Sequence, residues 1–236
     1  MAYYHATDLG VSVGGAVCGA QSFTVTNDTP AAPIFQLGSV EACGILKSPE
    51  RWTASLTVNG QDPVITGNWA DIISDNTLTV ACPLFGIGNA VCTGITFSGR
   101  AGSAPTATYT FAGTSFTTGG GATPGTCGCS VATENISGPT AAYTITASST
   151  VSWLEEFGNA TYVAVIASNP VVRGTFENYQ SAPAVTSVTI GSMSVTLNET
   201  VDLGEGGRGS VGGFATISRS YIAGDNGDIT GGMTIA

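Results

Sequence analysis

Few residues in this sequence could carry out acid–base or nucleophilic chemistry, and their spacing does not suit catalysis. Glu155 and Glu156 form the only adjacent pair of carboxylates. A glycosidase needs two carboxylates that face each other across a cleft, whereas neighbours in an extended strand point to opposite faces. His5 is the only histidine, so a histidine-based triad would have to use the N-terminal segment. We predict no catalytic residues and no enzymatic activity, and we interpret Glu155 and Glu156 as a solvated or subunit-contact position.

Two further motifs match the sequence patterns of ligand-binding loops but lack the structural context that such loops need. Residues 204–209 (GEGGRG) fit the pattern GxGxxG, but a dinucleotide site needs that loop between a parallel strand and a helix. No helical pattern follows it, and Glu205 would repel a phosphate. Residues 225–228 (DNGD) lack the spacing and the closing glutamate of an EF-hand and are typical of a turn. The sequence therefore predicts no cofactor.

The six cysteines have irregular spacings. The first ten residues show no basic region followed by an apolar run, so we expect no signal peptide and predict buried or free thiols. The paired CxxC spacings of a zinc site are absent, which predicts no metal. No apolar run approaches the ~18 residues of a membrane span, so we expect no membrane partner.

Composition indicates an all-β protein. Only 9% of the 236 residues are charged, well below the ~25% charged residues of an ordinary soluble domain. Glycine accounts for 33 residues. Hydroxyl side chains then cover the exposed strand faces in place of charges. The net charge is −10 with six Lys and Arg residues in total, which excludes binding of nucleic acid through neutralised phosphates.

Alternating patterns place several strands and one helix. Phe23 and Val25 alternate with threonines, and the clearest strand follows a Ser-Pro turn, with Trp52 and Leu56 on one face. Residues 68–75 (NWADIISD) predict a short helix, with Asn68 in the capping position. Residues 1–21 are interpreted as an arm that leads into the first strand, and residues 117–128, rich in Gly, Thr and Pro, as a linker or exposed loop.

The two halves of the chain resemble each other. Residues 23–26 (FTVT) match residues 143–146 (YTIT) at an offset of 120 (143 minus 23), and this match extends over residues 22–58 and 142–177. Later matches, such as residues 99–100 with 207–208, have an offset of 108. We therefore predict two tandem β-sandwich domains from an internal duplication, residues 1–120 and 121–236. Arg51 and Arg173 match at an offset of 122, so the second domain lacks 14 residues (122 minus 108), in the region that carries the helix in the first.

The repeat gives candidate contact residues. Four of the six basic residues fall at matching places, with Arg51 matched to Arg173 and Arg100 to Arg208. One interpretation is exposed strand residues that balance nearby acids; the other, which we favour, is repeated salt bridges between subunits of an acidic ring. Thr24, Thr26, Thr144 and Thr146 are the candidates for a polar face, which would line a channel if the sheet encloses one.

The segment that begins at Ser22 resembles a tail tube protein of a long-tailed bacteriophage. The resembling residues are the first strand, residues 33–38 (PIFQLG), residues 44–46 (GIL), and the turn into residues 50–58 (ERWTASLTV). The resemblance implies a β-sandwich with a flanking helix, assembled into stacked sixfold rings whose inner sheets join into a continuous β-barrel through which DNA passes. Some tubes use duplicated chains, so that three subunits form a pseudo-sixfold ring. The family has no catalytic residues.

From this resemblance we expect a structural subunit of a phage tail tube, made in the host cytoplasm and located in the virion. Its partners would be copies of itself, as a trimeric ring or alternatively a hexamer, and other tail proteins, while DNA passes without specific binding. Two alternatives stay open: another virion β-sandwich protein, such as a capsid decoration or fibre protein, and a secreted adhesin or lectin-like binding module.

Overall fold

A computed structural model describes most of the chain, namely residues 10–15, 17, 19–38, 40–59, 63–119, 134–136, 140–156, 159, 161–179, 186–190, 193–209, 215–224 and 231–236. These residues are nearly all β, with 69% of them in strands and 3% in a helix. This confirms the predicted fold class, all-β with one short helix. Among the described residues, no helix has the length and hydropathy to cross a membrane.

Among its described residues, the N-terminal half (residues 1–120) contains nine strands and the helix. They are β1 (Ser12–Val13), β2 (Ala20–Asp28), β3 (Ala31–Phe35), β4 (Ala42–Lys47), β5 (Arg51–Asn59), β6 (Gly67–Asn68), α1 (Trp69–Ser74), β7 (Leu78–Ala81), β8 (Gly86–Arg100) and β9 (Thr106–Thr117).

The C-terminal half (residues 121–236) contains eight strands among its described residues. They are β10 (Glu134–Ile136), β11 (Thr140–Leu154), β12 (Ala164–Asn178), β13 (Ser187–Ile190), β14 (Met193–Leu197), β15 (Thr200–Arg208), β16 (Thr216–Ala223) and β17 (Met233–Ile235).

Three antiparallel sheets arise from these strands. Ten strands form the main sheet, in the order β15-β16-β12-β11-β8-β9-β5-β2, with β7 paired to β8 and β1 paired to β7. A second sheet has the order β10-β13-β14-β17-β6, and β3 pairs with β4 as a separate hairpin. Because β11 pairs with β8, the two halves share one continuous sheet. The boundary between residues 120 and 121 lies outside the described residues and stays a prediction.

The core lies between the main sheet and the second sheet. Alternate residues of the central strands, such as Leu56, Phe97 and Tyr109, are fully buried in one hydrophobic cluster that also contains Val195 and Met233 of the second sheet. This cluster includes buried side chains from both halves. Two sheets that bury one common face of alternating apolar residues make a sandwich-like architecture.

The predicted helix is confirmed as α1, which buries Trp69, Ile72 and Ile73 against the core. Asn68 precedes it but makes no capping hydrogen bond with its side chain. Its amide instead lies 3.4 Å from the Asp71 carboxylate and accepts a hydrogen bond from the Thr234 hydroxyl at 2.9 Å. A six-residue helix is too short to be stable alone, so packing of its apolar side holds it in place.

The N-terminal segment is more ordered than the predicted arm. Val11 and Val13 are buried in the core, and β1 pairs with β7, joining Val13 to Val80. The prediction of an arm over residues 1–21 is therefore wrong from Val11 onwards. The reason is that the alternating pattern of Val11, Ser12 and Val13 is only three residues long and is flanked by glycines, so it does not stand out in the sequence as a strand. Residues 1–9 lie outside the described residues.

Candidate assembly surface

The main sheet ends in two strands that have only one neighbour each in the described part of the chain. β2 pairs with β5 alone, and β15 pairs with β16 alone. Both strands are nine residues long and mostly exposed. An open strand edge presents a row of unpaired backbone N–H and C=O groups, which is a template for pairing with another chain. The two edges are therefore the first candidates for a functional surface.

The same four-stranded unit occurs twice in this sheet. In the C-terminal half the order is β11-β12-β16-β15, and in the N-terminal half it is β2-β5-β9-β8. In each unit the first and second strands form a hairpin, and the third and fourth strands follow later in the chain. The strand order of the main sheet thus repeats between the halves.

The register between the strands repeats as well, including its irregularities. Ala20 pairs with Val58 and Ser22 with Thr57 across a bulge; Thr140 pairs with Asn178 and Ala142 with Glu177 across a second bulge. Each of the four residues at the first bulge is related to its counterpart at the second bulge by an offset of 120 residues (140 minus 20). Since bulges are position-specific features of a sheet, their coincidence is strong support for equivalent strands.

The later strands have an offset of 110 residues, not the predicted 108. The pairing of β8 with β9 has a bulge between Cys92 and Gly94, and the pairing of β15 with β16 has one between Asp202 and Gly204. The distance between the two bulges along the sequence is 110 residues (202 minus 92). Between these two matched blocks the C-terminal half thus lacks ten residues (120 minus 110), and not fourteen. Matching by residue identity slipped by two because a shift of two residues preserves the alternation of a strand.

This register also describes the junction between the two units. Inside the chain β11 pairs with β8, with Thr144 opposite Ser98 and Ala147 opposite Ile95. The equivalents of these two strands, at the offsets 120 and 110, are β2 and β15. They are the two open edges. By the same register, Thr24 of one chain would lie opposite Arg208 of another.

One face of the main sheet is lined by hydroxyl groups. Hydroxyls of neighbouring strands approach each other on it at 2.9–3.3 Å, in the pairs Ser98–Thr106, Thr57–Thr108 and Thr175–Ser220. The four threonines predicted for a polar face lie on strands β2 and β11. Thr24, Thr26 and Thr144 are exposed and Thr146 is half-buried, while their neighbours Val25 and Ile145 point to the core side. Whether this face lines a channel stays a prediction.

Arg51 joins the two halves within one chain. Its Nε donates a hydrogen bond to the Tyr162 hydroxyl at 2.9 Å, and its guanidinium lies over the rings of Trp153 and Tyr162, at 5.1 and 5.5 Å from their centroids. These contacts lie inside a single chain, and the predicted role of Arg51 between subunits stays a prediction. Its predicted match to Arg173 is wrong, because the offset of 120 makes Val171 the equivalent of Arg51.

We expect Arg51→Met to lower the free energy of unfolding by about 1–2 kcal/mol, since it removes one charged hydrogen bond and the cation–π contacts. Tyr162→Phe removes the hydroxyl alone and should cost less. The exposed Arg173→Met is the matched control and should change stability by less than about 0.5 kcal/mol. Urea denaturation measures all three, and an equal loss for Arg51→Met and Arg173→Met would contradict this assignment.

The remaining predicted contact residues are all exposed. Arg100, Arg173 and Arg208 lie at the surface of the sheet, and the equivalent of Arg208 is Ser98, not Arg100, because of the corrected offset. Glu155 and Glu156 are exposed next to the end of β11, where the Glu156 carboxylate accepts a hydrogen bond from the Asn159 amide at 3.0 Å. In the described part of the chain, neither glutamate has an ion-pair partner. Their role between subunits stays a prediction.

The sequence analysis did not predict one ion pair at the open β15 edge. Arg219 of β16 contacts Glu205 of β15, with Nη2 and Nε at 3.0 and 3.1 Å from the same carboxylate oxygen. The two residues lie directly opposite each other in the register. The nearby Tyr221 hydroxyl and the hydrogen bond with Glu205 raise the pKa of Arg219 above its ordinary value. Only the pairing of β15 with β16 brings these residues together, so no local signal could have found them.

Of the two motifs that resemble ligand-binding loops, the structure describes the glycine motif. Residues 204–208 of the glycine motif belong to strand β15, so no helix N-terminus meets this segment. No group of three or more His, Cys, Asp and Glu side chains is placed to hold a metal ion in the described ranges. Residues 225–228 and His5 lie outside those ranges.

Three cysteines are described, and all three are free thiols: Cys43, Cys82 and Cys92. Burial raises the pKa of Cys92 to about 12, which keeps this thiol protonated and unreactive at neutral pH. Cys18, Cys127 and Cys129 lie outside the described residues.

No protein-family model and no curated protein matches this chain.

Proposed function

We propose that this chain is a structural subunit of a phage tail tube, which assembles head to tail into rings that stack around a channel for DNA. The observation that carries the proposal is the β8–β11 junction inside the chain. Its two equivalent strands, β15 and β2, are left as the open edges of the same sheet. A second chain added through these edges would repeat a contact that the protein already makes with itself.

Such an interface is heterologous, because it joins two different edges. Heterologous contacts generate closed rings when their rotation closes, and open filaments when it does not. Each chain supplies two four-stranded units, so three chains give six units in one ring. This agrees with the trimeric, pseudo-sixfold ring that the sequence resemblance implies. Pairing in the ring would also satisfy the backbone groups of both edges.

The hydroxyl-lined face supports the passage of DNA without binding. A continuous sheet in this ring presents that face or the core face towards the centre, and the core face is covered by the second sheet and α1. The hydroxyl face therefore lines the channel in this proposal. The net charge of −10 provides a repulsive field for DNA phosphates, which favours free transit over adhesion.

Negative-stain electron microscopy of the purified protein tests this function. We expect hollow rings or tubes with a pore close to the width of duplex DNA, and six similar lobes around each ring. Trimers that form solid spikes without a pore would indicate a fibre or decoration protein instead. Particles that stay monomeric at high concentration would contradict any assembly role.

A further inference from the structure

The C-terminal half contains a docked hairpin whose counterpart in the N-terminal half is undocked. The outer parts of β11 and β12, residues 150–154 and 164–168, fold onto β8 and β9. There Val165 packs against Val91 and Ala112 in a small hydrophobic cluster, and Val151, Trp153 and Ala167 surround it. We call residues 150–154 and 164–168 the outer hairpin. The outer hairpin thus covers an apolar patch of the neighbouring unit.

The hairpin β3–β4 has the same register as the outer hairpin. Ala31 pairs with Lys47 and Pro33 with Ile45, while Val151 pairs with Ala167 and Trp153 with Val165. Both pairs are related by the offset of 120. Ile45 is therefore the equivalent of Val165, the residue that docks. Yet Ile45 is 74% exposed, whereas Val165 is 2% exposed.

The patch that receives the outer hairpin also has an undocked equivalent. Val91 pairs with Ala112, and at the offset of 110 their equivalents Val201 and Ile222 pair with each other. Both equivalents are apolar. Val91 is fully buried under the outer hairpin, but Val201 is 61% exposed. The chain thus carries a second, uncovered hairpin and a second, uncovered patch with matching chemistry.

These two features lie at opposite ends of the main sheet. β3–β4 connects β2 to β5 at one edge, and the patch of Val201 and Ile222 lies on β15 and β16 at the other edge. Five strands of the path lie between β2 and β16, so a hairpin attached to β2 does not reach the patch of its own chain. A second copy that pairs edge to edge brings them together in the arrangement of the internal junction.

We propose that the β3–β4 hairpin of one chain docks on Val201 and Ile222 of the next chain, with Ile45 as the inserted residue. This inference rests on the proposed head-to-tail assembly and adds a second contact to it. The internal junction is reinforced by Arg51 over Trp153 and Tyr162. At the junction between chains, the equivalents of Arg51, Trp153 and Tyr162 are Val171, Pro33 and Ala42, respectively. The contact between chains is therefore apolar, whereas the internal contact is polar and aromatic.

The test uses charges placed on exposed apolar positions of the full-length chain. Ile45→Asp and Val201→Asp should each weaken self-association at least tenfold, since docking would bury an unpaired carboxylate. Ile34→Asp is the matched control on the opposite face of the same hairpin. Its equivalent Leu154 remains 49% exposed after docking, so this variant should assemble within about twofold of the unchanged protein. Analytical ultracentrifugation measures association, and circular dichroism of the monomers checks their folding.

A direct contact is tested by crosslinking Ile45→Cys to Val201→Cys with a short bismaleimide, in a Cys43→Ser background. We expect the double variant to give covalent oligomers well above the level of either single variant, which measures crosslinking through the natural thiols. If rings form but Ile45→Asp assembles as well as Ile34→Asp, the docking inference is overturned and the tube function stands. If the unchanged protein forms no rings, both proposals fall.

Discussion

A Thr24→Cys/Arg208→Cys variant is expected to crosslink into covalent dimers and trimers when rings form, because the internal register places these two positions opposite each other across the open edges. In the internal junction their equivalents are Thr144 and Ser98, which are direct partners. Opposite residues in an antiparallel pair have Cβ atoms about 4.5–5.5 Å apart, within reach of a short bismaleimide. Closure of a three-membered ring predicts that the covalent ladder ends at the trimer.

The register, and not merely proximity, is tested by a displaced variant. Thr24→Cys combined with Asp202→Cys moves the second thiol six residues along β15, which is about 20 Å in a strand, and should give little crosslinking. Single variants in the Cys43→Ser background measure the contribution of the natural thiols. Equal ladders from the matched and displaced pairs would show that the edges meet without the register of the internal junction. A ladder that continues far beyond the trimer would indicate a hexameric ring or an open filament.

Much of the fold could be predicted because its signals are local. The alternation around Trp52 and Leu56 gave β5, and the helical spacing of Trp69, Ile72 and Ile73 gave α1. The pairing of β11 with β8 was not predictable in the same way, since it joins residues from different halves whose side chains carry no complementary pattern. Strand pairing over long sequence separations depends on the whole sheet and not on either strand alone.

The candidate surface was predictable only in part, for a related reason. The ordered matches between residues 22–58 and 142–177 suggested a repeat. Identities alone could not distinguish an offset of 108 from one of 110, and the bulges at Cys92 and Asp202 were needed to fix it. The contacts of Arg51 within the chain were not predicted, because its partners, Trp153 and Tyr162, lie about 100 residues away in the sequence. The exposure of Ile45 and Val201 has no sequence signal, since each reads as an ordinary apolar strand residue.

The second large effect is expected at Phe97, which is fully buried in the junction between the halves. It lies on β8 between Ala107 of β9 and Ile145 of β11, and its ring meets that of Tyr109 edge to face at 6.2 Å. Phe97→Ala should lower the free energy of unfolding by about 3–5 kcal/mol, the usual cost of such a cavity. Ser98→Ala, on the opposite face, removes a hydroxyl 2.9 Å from that of Thr106 and should cost about 1 kcal/mol or less.

This variant also tests whether the two halves unfold together. Trp69 reports on the N-terminal half and Trp153 on the outer hairpin of the C-terminal half, and each is followed alone after the other tryptophans are replaced by phenylalanine. Because both halves contribute to one sheet and one hydrophobic cluster, we expect both probes to show one transition in urea, shifted equally by Phe97→Ala. Coincident transitions are the standard evidence for two-state unfolding. Two separated transitions, with only the Trp69 signal shifted, would show that the halves are independent domains, and that the β8–β11 junction is too weak to serve as a template for a ring.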